Sequence, residues 1–157
     1  MKNLPQTTAK HLRGVYFGEN WTEVNLKKVL SDVTLEEALH SVHGLNSIAK
    51  LTFHVNYFVF EVAKVLRGEP LTARDKYSWT HPEMHTEADW QAFLEKVWED
   101  GEAFAALIEA MPEEKYWGDF ADPKYGKYCS NLWGIIEHLY YHLGQIAVIK
   151  KIIRQGN

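Results

Sequence analysis

A helical spacing of apolar residues constrains the fold of this chain more than any other feature of its sequence. Between Leu45 and Arg67 these residues recur alternately three and four positions apart: Ile48, Leu51, Val55, Phe58, Val62 and Val65. Because an α-helix turns once every 3.6 residues, this spacing places them on one face. The segment therefore predicts a long helix, capped by Asn46 or Ser47 and ending at Arg67, that packs against other helices.

Three further segments have helical periodicity, and no alternating strand pattern extends beyond a few residues. The first covers residues 8–31, with a break expected near Gly18 because glycine weakens a helix. Residues 34–37 form a capping box for one short helical turn. A third long helix is predicted over residues 86–111 and a fourth over 130–153.

Two long connections separate these helices, at residues 71–85 and 113–128, where proline, glycine and polar residues replace the apolar periodicity. Four helices with two long connections predict an all-α fold, a four-helix bundle with crossover connections. A chain of 157 residues has the length of one domain. We therefore expect a single domain over residues 1–157.

Composition and charge exclude several classes of function. The net charge is −4, and no cluster of Lys or Arg exceeds a pair, which argues against nucleic-acid binding. The most apolar stretch, residues 51–66, contains polar side chains, so it predicts no membrane span. Cys129 is the only cysteine, and the N-terminus lacks the pattern of a signal peptide. A soluble, cytoplasmic protein is expected.

The last predicted helix contains two histidines, His138 and His142, four residues apart. Their side chains lie roughly 40° apart around the helix axis, so both imidazoles can bind one divalent metal ion. A zinc site needs at least three protein ligands, and His54, which flanks the apolar face of the second long helix, is a candidate for the third. The alternative for His54 is a partly buried histidine that donates to a backbone carbonyl. Glu61, seven residues after His54, is a candidate partner for its second ring nitrogen.

Other metal and catalytic motifs fit less well. No Glu follows His138, so the pair is not the helical zinc-protease motif. A di-iron carboxylate bundle needs two Glu-x-x-His motifs, and only residues 37–40 match. His81 and His85 flank Pro82, so they are interpreted as surface histidines rather than a helical pair. Cys129 lacks a basic cluster that would lower its pKa, which favours a structural thiol.

The last helix reads His138-Leu-Tyr-Tyr141-His142-Leu-Gly144-Gln145-Ile146. Further matching segments precede it in the order Trp21, Leu35-Glu36-Glu37-Ala38, His43-Gly44-Leu45-Asn46-Ser47-Ile48, His54 and Leu66-Arg67-Gly68-Glu69. This order resembles the DinB/YfiT-like superfamily, whose members end in a helix of the form His-x-x-Tyr-His-x-Gly-Gln-Ile. The resemblance covers nearly the whole chain. Lys50 and Thr52 depart from it, since relatives often carry Trp and aliphatic residues before the first histidine.

The resemblance implies a four-helix bundle with a left-handed crossover topology. It implies a divalent metal ion, commonly zinc, nickel or iron, held by His54, His138 and His142. The expected activity is that of a metal-dependent transferase, or a related hydrolase or isomerase, acting on a small-molecule substrate with a low-molecular-weight thiol. Many members of the superfamily have no assigned reaction. The alternative is a non-catalytic bundle. In it the metal would stabilise the fold, or the chain would be a stress-related or sensor binding protein.

The predicted long helix between Leu45 and Arg67 also carries an aromatic stripe, which bears on whether the chain forms an oligomer. Phe53, Tyr57 and Phe60 lie opposite its apolar core face. Either a second subunit or the connection over residues 71–85 would cover them. The family resemblance favours the second subunit, and thus a homodimer.

Overall fold

The computed structural model describes residues 3–156, which form seven α-helices and no β-strand; one isolated bridge joins Asp119 to Lys127. The helices are α1 Leu4–Phe17, α2 Leu26–Leu30, α3 Leu35–Leu39, α4 Ile48–Leu66, α5 Glu87–Glu109, α6 Glu113–Tyr116 and α7 Tyr128–Gln155. Single 3₁₀ turns lie at Asp75–Tyr77 and Pro123–Tyr125. The predicted all-α class is confirmed. None of the described helices is long and apolar enough to cross a membrane.

Side-chain caps set the boundaries of the two central helices. The Ser47 side chain accepts a hydrogen bond from the Lys50 amide, so α4 begins at Ile48. Thr86 and Asp89 form a reciprocal capping box at the start of α5. Both boundaries follow from local sequence and agree with the prediction.

The predicted first helix, residues 8–31, is interrupted after Phe17, close to the break expected near Gly18, and forms two helices, α1 and α2. Helix α1 begins four residues earlier and ends at Phe17, because Gly18 adopts a φ of 119° that is incompatible with helix. The Asn20 amide then donates to the Gly14 carbonyl over 2.6 Å and to the Val24 carbonyl over 2.8 Å. The Gly18 amide also donates to the Gly14 carbonyl, so Asn20 adds a second bond at the helix end and holds the turn that leads to α2.

The predicted loop at residues 113–128 is also partly wrong. It contains α6 and a 3₁₀ turn, and α7 begins two residues earlier than expected, at Tyr128. Helix α6 packs against α1 and α7. The fully buried Tyr116 at its end shares a hydrogen bond of 2.7 Å with Thr8 of α1.

The four long helices contact one another in a closed ring. Helix α4 packs against α5 and α7, and α1 packs against the same two helices. The short helices lie at the sides of this ring, with α2 against α1 and α7 and α3 against α4. The largest fully buried side chains are Trp90, Tyr16, Tyr116, Phe104, Leu12, Leu26, Leu30, Ile48, Ile108, Leu132, Leu139 and Ile146. This packing brings α4 and α7 together, and with them the candidate site.

The aromatic stripe of α4 is partly covered within the chain. Phe53 faces Phe93 of α5, with ring centroids 6.5 Å apart. The Arg74 amide of the 71–85 connection donates to the Tyr57 hydroxyl over 2.9 Å. Phe60 stays 40% exposed. The connection therefore accounts for part of the covering, and the homodimer stays a prediction.

Alanine substitutions at two helical glycines are predicted to have opposite effects on the stability of the protein. A Cβ at Gly101 would lie 2.5 Å from the ring of the fully buried Tyr16, whereas one at Gly134 would meet nothing within 4 Å. We expect Gly101→Ala to lower the free energy of unfolding by about 1–3 kcal/mol through overpacking. Gly134→Ala should raise it by about 0.5–1 kcal/mol by favouring the helix. Urea unfolding measures both, and equal midpoints would contradict the packing of α1 on α5.

Candidate metal centre

Three histidines from two neighbouring helices meet at one point. His54 lies on α4, and His138 and His142 lie on consecutive turns of α7. Their candidate ligand nitrogens all lie within 4.8 Å of one another. His54 and His142 are buried and His138 is partly exposed. The sequence predicted this set, and the structure brings its members together.

The distance between two of these nitrogens suits a shared ion. The Nε2 atoms of His54 and His138 are 3.0 Å apart. Two imidazole ligands of a tetrahedral zinc ion, each at the usual bond length, lie about 3.3 Å apart. A shift of a few tenths of an ångström would therefore allow both to bind one cation.

Ser78 sets the orientation of the His54 ring. Its hydroxyl lies 2.7 Å from His54 Nδ1 and also 2.7 Å from the backbone carbonyl of Asp75. Because the carbonyl can only accept, the Ser78 hydroxyl donates to it and accepts from the Nδ1–H of His54. The proton of the neutral ring is thus on Nδ1, and the Nε2 lone pair points toward the other histidines.

Gln145 plays the corresponding part for His142. Its Oε1 lies 2.7 Å from His142 Nδ1, and its Nε2 donates to the Tyr141 hydroxyl over 3.2 Å. With Oε1 as the atom that faces the ring, the amide oxygen accepts and His142 donates from Nδ1. Its Nε2 therefore carries the lone pair as well. His54 and His142 lie on different helices and have the same tautomer, which is the one that binds a metal through Nε2.

Electrostatics keeps the three rings neutral. Burial lowers the pKa of His54 to about 4, and the neighbouring imidazoles add to this effect. Burial and the nearby His142 lower the pKa of His138 to about 4. The pKa of His142 is also lowered by burial, against the opposing effect of its bond to Gln145. At neutral pH all three rings are therefore neutral, with one protonated nitrogen each, and neutral imidazole is the form that metals bind.

Aromatic side chains surround the cluster. The Trp79 ring stacks on His54, with centroids 3.7 Å apart and an interplanar angle of 16°. Its Nε1 donates to the Asp75 carboxylate over 3.2 Å, which holds the indole in place. The Phe58 ring is nearly perpendicular to the rings of His138 and His54, and its centroid lies 5.4 and 5.2 Å from theirs. These rings limit the access of water and leave His138 as the partly open side of the site.

The predicted role of Glu61 is wrong. Its carboxylate accepts from Lys64 over 2.8 Å and from Thr72 over 3.0 Å, and the partner of His54 is Ser78 instead. Ser78 lies in an irregular connection, so no periodicity in the sequence indicated it. Gln145 could have been found, because it lies one turn after His142 on the same helix.

The other candidates lie outside the cluster. His85 is exposed and 3.4 Å from the Glu83 carboxylate, while His81 is half-buried and bonded through Nδ1 to the Pro82 carbonyl. Cys129 is a free, buried thiol. Lys50, which departs from the superfamily pattern, places its ammonium group 5.8 Å from the Trp79 ring centroid. It therefore lies beside the aromatic wall of the site.

Comparisons with known proteins identify no relative of this chain. A scan against protein-family models, a search among curated proteins and a search among solved structures each returned no match. Three neutral imidazoles with converging nitrogens, two of which have Nδ1 bonded to a neighbouring side chain, could bind a metal ion.

Proposed function

We propose that the chain is a DinB-like four-helix bundle with crossover connections that binds one divalent metal ion through His54, His138 and His142. The ring of contacts among α1, α4, α5 and α7 supports the bundle. The metal site is supported above all by one observation. His54 and His142, on different helices, each have Nδ1 bonded to a neighbouring side chain, which leaves Nε2 for a common ligand.

The donor set favours a transition metal. Imidazole nitrogen suits zinc, nickel and iron, whereas calcium and magnesium prefer oxygen ligands. Three protein ligands also leave a coordination position for an exogenous molecule, as in catalytic rather than structural zinc sites. Zinc, nickel or iron is therefore the expected cofactor.

We assign to this site a transfer reaction that uses a small thiol as cosubstrate. His54, His138 and His142 would hold a divalent cation, and such a cation would lower the pKa of a coordinated thiol, so that the thiol would be a thiolate nucleophile at neutral pH. The chain's own residues prepare the site for this. Ser78 and Gln145 hold two ligand rings in position, and Trp79 and Phe58 exclude bulk water. The small-molecule substrate would approach from the partly exposed side at His138.

Cobalt substitution tests the thiol step directly. The protein would be loaded with Co²⁺ and titrated with cysteine and glutathione while its absorption spectrum is recorded. We expect a sulfur-to-cobalt charge-transfer band to appear and saturate. Unchanged spectra with both thiols, in protein that binds one cobalt ion, would favour the alternative of a non-catalytic metal-stabilised bundle or sensor.

Removing the Ser78 hydroxyl should weaken the metal site without removing a ligand. We expect Ser78→Ala to lower metal affinity about 10–100-fold, because His54 loses the acceptor that fixes its tautomer. Competition with a chromophoric chelator measures the affinity. Ser31→Ala is the matched control, since Ser31 is exposed and bonds only a backbone carbonyl of α2. Equal affinities of the two variants would refute the positioning role of Ser78.

A further inference from the structure

A groove lies between α7 and the segment that contains α2, apart from the candidate metal centre. Its volume is about 440 Å³, within the range of about 300–1,000 Å³ that is usual for small-molecule sites. Helices α2 and α7 pack against each other and form its two walls. None of the three candidate metal ligands lines it. The groove is therefore a separate place where a ligand could bind.

Four positively charged side chains surround this groove: Lys28 of α2 and Lys150, Lys151 and Arg154 of α7. Along the sequence no cluster of Lys or Arg exceeds a pair, so this concentration arises from the packing of α2 on α7. The chain as a whole carries a net charge of −4. A positive groove on a negative protein attracts anions locally, because charges in a concave surface focus the electric field.

Two of these cations are held in place by neighbouring groups. Lys150 forms an ion pair with Asp32 and donates to the Val29 carbonyl over 2.6 Å, and its side chain is only 15% exposed. Arg154 donates to Asp32 over 2.8 Å and to Glu37 over 2.7 Å. These bonds fix two positive charges before any ligand arrives, so less conformational entropy is lost on binding.

The other two cations, Lys28 and Lys151, are exposed and form no ion pair within residues 3–156. The carboxylates of Asp32 and Glu37 neutralise the charges of the two fixed cations. The two exposed lysines therefore give the groove a surplus of positive charge. An anion with two negative charges would match it.

The surface between these charges is apolar. It consists of Val24, Val29 and Ala147, together with the aliphatic stems of the lysines. Covering such a surface with an apolar group is favourable by about 25 cal/mol per Å². An inorganic anion would leave this surface in contact with water, whereas a neutral apolar molecule would leave the two lysines without a partner. The ligand that fits has an anionic part and an apolar part.

We infer that this groove binds a phosphate monoester of an apolar alcohol. Its phosphate contacts Lys28 and Lys151, and its apolar group covers Val24, Val29 and Ala147. A phosphate monoester has a charge of about −1.5 to −2 at pH 7, which matches two lysines better than the single charge of a carboxylate does. Lysine binds phosphate as a point charge and needs no fixed geometry, which suits exposed side chains. The inference is independent of the metal centre.

Isothermal titration calorimetry of the full chain with octyl phosphate tests the inference. We expect one molecule to bind per chain, and octanol and inorganic phosphate to bind at least about ten-fold more weakly, because each lacks one of the two recognised parts. Binding should also weaken as the salt concentration rises, since the lysines are exposed. No saturable binding of octyl phosphate, or binding no tighter than that of octanol, would overturn the inference.

Two lysine variants locate the ligand in the groove. Lys28→Gln and Lys151→Gln should each lower the affinity for octyl phosphate about 3–10-fold, and the double variant should lower it further. Both should fold like the wild type, because neither lysine has an ion pair to lose, and circular dichroism checks this. Lys10→Gln is the matched control, since Lys10 is exposed on α1 and does not line the groove. A double variant that binds as tightly as this control would refute the site.

Phosphatidic acid is also a phosphate monoester, so vesicles that contain it distinguish a free ligand from a membrane headgroup. We expect no more protein to sediment with these vesicles than with vesicles of phosphatidylcholine alone. An acyl chain within the bilayer cannot cover the floor of the groove, and the net charge of −4 opposes binding to an anionic surface. Protein that sediments with the phosphatidic acid vesicles but does not bind octyl phosphate would contradict the inference.

Discussion

The variant His142→Ala is expected to lose the bound metal, from about one ion per chain to almost none. His142 supplies one of three candidate ligands, and the remaining pair cannot complete a tight site. Because His142 is buried and its Nδ1 bonds Gln145, alanine also removes packing and a hydrogen bond. His142→Gln keeps more of the volume and separates loss of the ligand from loss of stability. Metal content after dialysis against trace zinc, nickel or iron, measured by mass spectrometry, gives the ratio.

The control for this prediction is His85→Ala. His85 is exposed and lies outside the cluster, so its removal should leave the metal content unchanged. A second readout is thermal: bound metal stabilises the folded state by about 4 kcal/mol when its free concentration is 1,000 times the dissociation constant. The wild type should therefore gain thermal stability with added metal, whereas His142→Ala should not. If His142→Ala bound one ion with unchanged affinity, the site assignment would be refuted.

The second large effect is expected in the core. Trp90 of α5 is completely buried, and its Nε1 donates to the Val33 carbonyl over 2.7 Å, which ties α5 to the segment before α3. Trp90→Ala should lower the free energy of unfolding by about 3–5 kcal/mol, because it leaves a large cavity and an unpaired buried carbonyl. Urea unfolding followed by far-UV circular dichroism measures the difference.

Trp21→Ala is the matched control for this core variant. Trp21 is 97% exposed, so its loss should change stability by no more than about 0.5 kcal/mol. Trp90→Phe should be intermediate, since it keeps much of the ring volume but loses the bond to Val33. Similar losses for Trp90→Ala and Trp21→Ala would show that Trp90 is not central to the core.

Local sequence signals predicted the central helices well and the ends of the chain less well. Helix α4 agrees with its prediction because both signals that bound it, the Ser47 cap and the Arg67-Gly68 end, act within one turn. Gly18 indicated the break after α1, but the sequence did not indicate that α1 begins at Leu4 rather than at Thr8. Helix α6, from Glu113 to Tyr116, is too short to have a readable period, and packing on α1 and α7 stabilises it.

The candidate site divides in the same way. The spacing of His138 and His142 is a local property of one helix, so their common orientation follows from the sequence. The approach of His54 depends on α4 lying beside α7, which is a matter of tertiary packing. Ser78 reaches the site only because the 71–85 connection folds back over α4. Pattern alone therefore indicated candidate ligands but not the groups that orient them.

The order of amino acids alone established an all-helical chain with histidines on the flanks of its apolar faces, because helix formation and capping depend on neighbours within a turn. The tertiary structure decided that His54 meets His138 and His142 and that Ser78 accepts a hydrogen bond from His54 Nδ1. These features join residues far apart in the chain. Their proximity follows from the packing of whole helices rather than from any local pattern.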